Sequence, residues 1–145
     1  MLESTTRWPR ADRPLRVALP AQLESVPLAR HALARWLAGN GACADAIFAL
    51  SVALGEACTN AVEHAQRARP QAVLVRAERK GRTVRILVRD YGRWDYSPSI
   101  DERGRGLQLM RGLMDCVQIR RTPRGSTLVM SHPLDRQPEA ASFSE

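Results

Sequence analysis

The chain has 145 residues, of which 44% are hydrophobic and 26% charged, a composition typical of one globular domain with its own core. Its formal net charge of +7 comes from arginines scattered along the chain, with Lys80 as the single lysine. Because these arginines form no run, the charge favours an acidic or other partner over nucleic acid. No apolar run approaches the ~20 residues of a membrane span. The polar start, 1–16, lacks the apolar centre of a secretory signal. These two features predict a cytoplasmic protein without a membrane partner.

Cysteine and histidine spacing does not indicate a metal site. Cys43, Cys58 and Cys116 form no CxxC pair, and the histidines lie far apart in the sequence. Each cysteine falls within a predicted helix or strand, where a free thiol usually behaves as a small apolar side chain.

The chain begins with a predicted flexible arm, 1–13, followed by a strand and a helix. Alternating apolar residues over 15–19 predict a short strand that ends at Pro20. Ser25 is a suitable N-cap for the helix that follows. Gly39-Asn-Gly41 ends this helix.

A proline-free segment, about 43–69, predicts a second, longer helix. One stripe of this helix carries apolar residues at helical spacing: Ile47, Leu50, Leu54, Ala57 and Ala61. Glu56 and Asn60 are four residues apart and lie roughly opposite that stripe, one turn from each other. A carboxylate and a carboxamide placed in this way can position a hydrated cation; the alternative is a solvated polar face.

Two alternating segments joined at Lys80-Gly81 predict an antiparallel strand pair, 73–77 with 84–88, that terminates at Asp90. The segment 91–105 has no apolar periodicity and contains glycine, proline and several charges. It predicts a long loop, and loops of this length in a compact domain are commonly functional.

The remaining elements predict a helix and a final hairpin. Apolar residues at helical spacing over 107–114 are followed by two strand-like segments, 116–121 and 127–131. The tail, 134–145, is polar and predicted to be disordered.

These elements predict an α+β domain over 14–133, a two-layer sandwich with helices on one face of a mixed, mostly antiparallel sheet. The other sheet face carries Arg76, Arg85 and Arg89 among apolar residues. It is either partly solvated or faces a partner.

Four short motifs occur in a fixed order. They are Gly55-Glu-Ala-Cys-Thr-Asn-Ala-Val-Glu-His-Ala65 on the long helix, Asp90-Tyr-Gly92 at a strand end, Gly104-Arg-Gly-Leu107 opening a helix, and Gly125-Ser-Thr127 in the last hairpin. In this order the chain, from about residue 15 to 131, resembles the anti-sigma-factor serine/threonine kinases of the histidine-kinase-like (Bergerat-fold) ATPase superfamily. Each motif alone is weak, but the order and spacing are specific.

The resemblance implies an ATP and Mg²⁺ site. Asp90 would accept a hydrogen bond from the exocyclic amine of adenine, and Gly92 would allow close approach to the base. Gly125-Ser-Thr127 resembles the family's closing Gly-Thr pair, with Ser126 at the threonine position, where its hydroxyl would support the contact of Asp90 with adenine. Without the resemblance, Asp90 reads equally well as a turn aspartate before glycine.

The same resemblance assigns the phosphate end of the site. Gly104, Gly106 and Leu107 would open a helix whose free N–H groups meet phosphate oxygens; alone, this GxG is a flexible loop with a capping glycine. Asn60 would coordinate Mg²⁺, Glu56 would act as the general base, and Arg105 would stabilise charge on the γ-phosphate.

The implied function is a protein serine/threonine kinase that phosphorylates an anti-anti-sigma (STAS-type) protein and sequesters a sigma factor, commonly as a homodimer. One residue departs from the family pattern: Trp94 occupies the second glycine position of the Asp-x-Gly-x-Gly motif. This departure keeps an alternative open, a nucleotide-binding regulatory module that sequesters its partner without phosphoryl transfer.

Overall fold

The computed structural model of the chain describes residues 13–65, 72–91 and 104–135. The described helices and strands, in chain order, are β1 (Leu15–Pro20), α1 (Ser25–Gly39), α2 (Ala44–Ala65), β2 (Ala72–Lys80), β3 (Thr83–Asp90), α3 (Gly104–Leu113), β4 (Cys116–Thr122) and β5 (Gly125–Pro133). Most of the predicted arm, most of the predicted loop and most of the tail lie outside the described residues.

The five strands form one sheet in the order β1-β2-β3-β5-β4. Every described ladder is antiparallel, so the sheet is simpler than the mixed sheet that the sequence predicts. The tight turn at Gly81 joins β2 to β3, and Gly81 has a positive φ of 61°, which glycine adopts without strain. The predicted α+β architecture is confirmed.

The helices cover one face of this sheet, here called the inner face. α2 is the central helix and packs against α1, α3 and the strands β2, β3 and β5. Its predicted apolar stripe is buried at Leu50, Leu54, Ala57 and Ala61 and partly buried at Ile47. The opposite side of the same helix therefore remains available for polar residues.

The stretch Ala44–Glu63 of α2 is long and apolar enough by length and composition to cross a membrane, with a mean hydropathy of 1.2. The stretch is not an uninterrupted apolar run, because Asp45, Glu56 and Glu63 lie within it. In the described structure 56% of the stretch is buried, because the helix packs on the sheet and on both other helices.

Burial also fixes the chemical state of one cysteine. Cys58 is buried in the middle of α2, and desolvation raises the pKa of its thiol from 9.0 to about 12. The thiol stays protonated near neutral pH and serves as a small apolar side chain, as its position in the helix predicts.

Two predicted boundaries differ from the structure. Ser25 is the first residue of α1 and not its N-cap; Glu24 is at the N-cap and makes no side-chain capping bond. A preceding turn explains the difference, because the N–H groups of Ser25 and Val26 donate to the carbonyl oxygens of Gln22 and Leu23.

At the other end, Leu134 belongs to the domain and not to the tail. It is 4% exposed, and its backbone bonds to Arg82 and Cys43.

The outer face of the sheet carries the alternate residues of each strand. The strand residues of the core cluster all lie on the inner face, and none of the described helices packs on the outer one. Its central side chains, Leu74, Leu87 and Val129, are half-buried.

Candidate functional site

α2 and α3 bring three predicted site residues together. A Cβ atom built on Gly106, near the start of α3, would lie 2.9 Å from Glu56 Oε2, 3.7 Å from Asn60 Nδ2 and 3.9 Å from Asn60 Oδ1. The side-chain ends of Glu56 and Asn60 therefore converge on one point beside the backbone of Gly106. A helix start, a carboxylate and a carboxamide share one small space.

Local chemistry explains this convergence. Glu56 and Asn60 are one helical turn apart, on the side of α2 away from its buried stripe. α3 begins at Gly104, and the first N–H groups of any helix have no intrahelical partner. Gly106 has no side chain, so α3 approaches α2 closely at this point. Its backbone donors are thus available to an anion next to the polar side of α2.

The carboxylate of Glu56 is not neutralised by the part of the protein that the structure describes. Neither a hydrogen bond nor an ion pair to another described residue engages its oxygen atoms, and the side chain is half-buried. Such a carboxylate can accept a proton or a hydrogen bond from an incoming group.

Asp90 and Ser126 form a second cluster, on the inner face where β3 ends and β5 begins. They are directly opposite in the ladder, and the Ser126 hydroxyl donates a short hydrogen bond to Asp90 Oδ2. Asp90 is 2% exposed and Ser126 6% exposed. A buried carboxylate with one oxygen held by a neighbouring hydroxyl is suited to accept a hydrogen bond from a ligand N–H group.

Gly125 makes the close pairing of these strands possible. It has a φ of +135°, and a Cβ atom at this position would overlap the carbonyl oxygen of Asp90 and lie 2.9 Å from Cα of Tyr91. Any larger residue would push the start of β5 away from the end of β3. The position of Asp90 relative to Ser126 therefore depends on this glycine.

The two clusters lie at the same end of the domain. Val73 precedes Leu74, which pairs with Arg89, so Val73 is at the end of the sheet where Asp90 lies. Val73 also lines a small apolar cavity with Cys58 and Val62 of α2. Asn60 lies between those two residues in the chain, so the second half of α2 covers the Asp90 end of the sheet.

The donor set fits a magnesium ion that is held mainly by its ligand. Among the described residues there is no cluster of three or more histidine, cysteine, aspartate or glutamate side chains that could hold a metal alone. Mg²⁺ usually takes one or two protein oxygens and completes its shell with waters and phosphate oxygens. Asn60 Oδ1 beside Glu56 supplies that kind of partial site.

The remaining predicted site residues lie in different places in the structure. Leu107 is half-buried and packs against the core, so its side chain supports α3. Strand alternation places the side chain of Thr127 on the outer face, opposite Arg89 and Arg120, so only its backbone is left to contact a ligand beside Ser126. Gly92 and the side chain of Arg105 lie outside the described residues, as does Trp94.

Sequence reasoning missed two contacts. Gly125 entered only as part of a motif, although its place in a hairpin after Arg124 is a recognisable signal for a glycine-only conformation. The second contact is between α1 and α2: a Cβ atom on Gly55 would lie 3.1 Å from Cδ of Arg30. The Arg30 side chain thus lies against α2 at Gly55, and no spacing rule predicts a contact between these helices.

The chain is similar to known proteins in sequence and in overall structure. Residues 19–132 match the family described as the histidine kinase-like ATPase domain. The serine-protein kinase RsbW of Bacillus licheniformis is 34% identical over 88% of this chain and 90% of its own length, and that of Bacillus thuringiensis is 27% identical over 85% and 86%. The RsbU and RsbW domains of Rv1364c from Mycobacterium tuberculosis match in structure with a TM-score of 0.73 and 30% identity, over 86% of this chain and 33% of that one.

Proposed function

This chain belongs to the histidine kinase-like ATPase domain family, and from that premise we propose that it is an ATP-dependent serine/threonine protein kinase and anti-sigma factor. Its protein substrate would be an anti-anti-sigma (STAS-type) protein, and its second partner a sigma factor. The observation that carries this proposal is the convergence of Glu56 and Asn60 on Gly106. The names of the relatives support the choice of reaction.

In the proposed complex the Asp90 carboxylate accepts a hydrogen bond from the exocyclic amine of adenine. The Ser126 hydroxyl donates to Oδ2 of Asp90 and so helps to fix the orientation of the carboxylate toward the base. Because Asp90 is buried, a base that presents an acceptor instead of a donor would place two acceptors against each other away from water, which is costly. This pair would therefore select adenine over guanine.

The phosphates would lie at the start of α3, where backbone N–H groups from Gly104 onward are free to donate. Asn60 Oδ1 would hold Mg²⁺, which when bound supplies charge neutralisation for the phosphate oxygens. Arg105, also proposed at this end, would add a guanidinium donor.

Glu56 would accept the proton of the substrate serine or threonine hydroxyl as that oxygen attacks the γ-phosphorus. The bond from oxygen to phosphorus forms, the bond to the β-phosphate oxygen breaks, and ADP leaves. Since described residues do not neutralise Glu56, its carboxylate is free to take this role. The half-buried position keeps it accessible from the surface where a protein substrate must dock.

Transfer of labelled phosphate tests this proposal directly. The full chain, incubated with labelled ATP, Mg²⁺ and a STAS-type protein that it binds, should label that partner on a serine or threonine. Binding without labelling would favour a sequestering module instead. We further propose a cytoplasmic homodimer without a membrane partner, and sedimentation equilibrium measures the assembly.

Replacing Asn60 with alanine should reduce the enhancement of ATP binding by Mg²⁺. The variant loses the carboxamide oxygen proposed as the metal ligand, whereas metal-free binding depends on Asp90 and the backbone of α3. Calorimetric titrations with and without Mg²⁺ measure the difference. An unchanged Mg²⁺ dependence would place the cation elsewhere.

Replacing Gly106 with alanine should slow phosphate transfer. The new methyl group would lie 2.9 Å from Glu56 Oε2, so the carboxylate must move, and displacement of a catalytic group by about 1 Å can cost about 100-fold. Single-turnover rates with saturating ATP measure this effect.

Gly112 supplies the matched control on the same helix. A Cβ atom there meets no other atom within 4 Å, so Gly112→Ala should keep the transfer rate and increase the stability of α3. Equal rates for Gly106→Ala and wild type would show that Glu56 does not need its observed position.

A further inference from the structure

The outer face of the sheet is strongly cationic. Its side chains include six cations, which are Arg16, Arg76, Lys80, Arg85, Arg89 and Arg120. Glu78 is the one carboxylate among the described residues of this face; it lies 3.9 Å from Arg76 and 4.0 Å from Lys80. Both ion pairs are long and involve exposed cations, so they are weak, and the described residues leave most of the positive charge of this face uncompensated.

An apolar strip runs through the middle of these cations. Leu87 is directly opposite Val129 in the ladder, and Leu74 is the diagonal neighbour of Leu87 on the next strand. The ladder row through Leu87 and Val129 also contains Arg16, Arg76 and Gln118. The face thus has an apolar centre and a cationic surround, the composition of a protein-docking surface.

We infer that the outer face binds an acidic protein surface, whose apolar residues cover the strip and whose carboxylates pair with the surrounding arginines. Arginine is suited to this role because its planar guanidinium binds a carboxylate through two parallel hydrogen bonds. The inference goes beyond the proposed kinase activity and does not depend on it, since Glu56, Asn60 and Asp90 lie on the other side of the sheet.

Charge and shape favour this occupant over two others. A second copy of the chain would bring six cations against six cations across a two-fold axis, with one carboxylate from each side to offset them. Nucleic acid would pair with the arginines but would leave the apolar strip against phosphates and sugars. The described strands also carry no row of aromatic side chains on this face, such as those on which single-stranded bases stack.

The probe is a soluble peptide of alternating glutamate and valine residues, added to the full isotope-labelled chain at physiological ionic strength. The expected result is a chemical-shift change at the amides of Leu74, Leu87 and Val129, with smaller changes on α2. A lysine–valine peptide is the matched negative probe. No change with the acidic peptide, or equal change with both, would overturn the inference.

A triple variant tests the cations. Arg16→Gln, Arg85→Gln and Arg120→Gln together remove three exposed charges on three different strands, and the affinity for the acidic peptide should fall about tenfold. Arg89 is left unchanged because its guanidinium lies 4.8 Å from the ring of Tyr91, next to Asp90. The control triple, Arg13→Gln, Arg82→Gln and Arg111→Gln, removes the same charge away from this face and should bind as wild type.

Three outcomes would contradict the inference. Equal peptide affinity in both triples would mean that net charge alone is sensed. Tighter binding of duplex DNA than of the peptide, lost in the first triple, would assign the face to nucleic acid. A dimer in wild type that dissociates in the first triple would assign it to a second copy. The ATP affinity of both triples, measured in parallel, should equal that of wild type, which separates this result from the kinase proposal.

Discussion

Replacing Glu56 with glutamine is expected to slow phosphate transfer to the protein substrate by about 10²–10⁴-fold, the usual contribution of a general base. Glutamine keeps the size of the side chain and much of its hydrogen bonding, but it does not accept a proton near neutral pH. Because Asp90, Ser126 and the backbone of α3 are untouched, the affinities for ATP with Mg²⁺ and for the partner should stay within a small factor of wild type. Single-turnover transfer and calorimetry measure the two quantities.

Glu63 offers a matched control for this experiment. It lies on the same helix, two turns further along, and is half-buried like Glu56. Glu63→Gln should transfer phosphate at the wild-type rate. If Glu56→Gln also does so, the base lies elsewhere and the proposed mechanism fails at its central residue.

Replacing Asp90 with asparagine is expected to weaken ATP and ADP binding together, by about 10- to 100-fold or more. The amide group presents a donor either to the adenine amine or to the Ser126 hydroxyl, and a mismatched polar pair in a buried site costs roughly 1–3 kcal/mol. The shape of the side chain is unchanged. The melting temperature without nucleotide should therefore change little.

Two further variants test whether the loss of nucleotide affinity is specific to the Asp90 carboxylate. Ser126→Ala removes only the supporting hydroxyl, so it should lose less affinity than Asp90→Asn. Asp135→Asn changes an exposed aspartate that pairs with Arg82 and should bind both nucleotides as wild type. If Asp90→Asn binds ADP with wild-type affinity, the Asp90 carboxylate does not contact adenine.

Apolar periodicity is sufficient to locate most of this fold, because it records which face of each element is buried. The stripe of α2 and the alternation in β2 and β3 appear in the structure at the predicted positions. Periodicity carries no information about the order of the strands. The position of β5 between β3 and β4 comes from packing that joins distant segments.

The candidate site likewise has features that the sequence predicts and features that only the folded chain defines. One helical turn between Glu56 and Asn60 is readable from the sequence, and so is the placement of Asp90 at a strand end. Thr127 shows where a motif is insufficient: the motif includes two adjacent residues, but the side chains of neighbours in a strand point to opposite faces. The close approach of Gly125 to Asp90 depends on the ladder register, which only the folded sheet defines.

α2 carries the proposed catalytic residues and the centre of the core on one rigid body. Leu50 and Leu54 are fully buried, while Glu56 and Asn60 lie on the other side of the same continuous helix. Heating cannot displace those residues from Gly106 by moving α2 alone, because the helix is held on the sheet and between α1 and α3. Heat inactivation of the enzyme should consequently coincide with global unfolding instead of preceding it, so a variant with a more stable core would keep its activity to a correspondingly higher temperature.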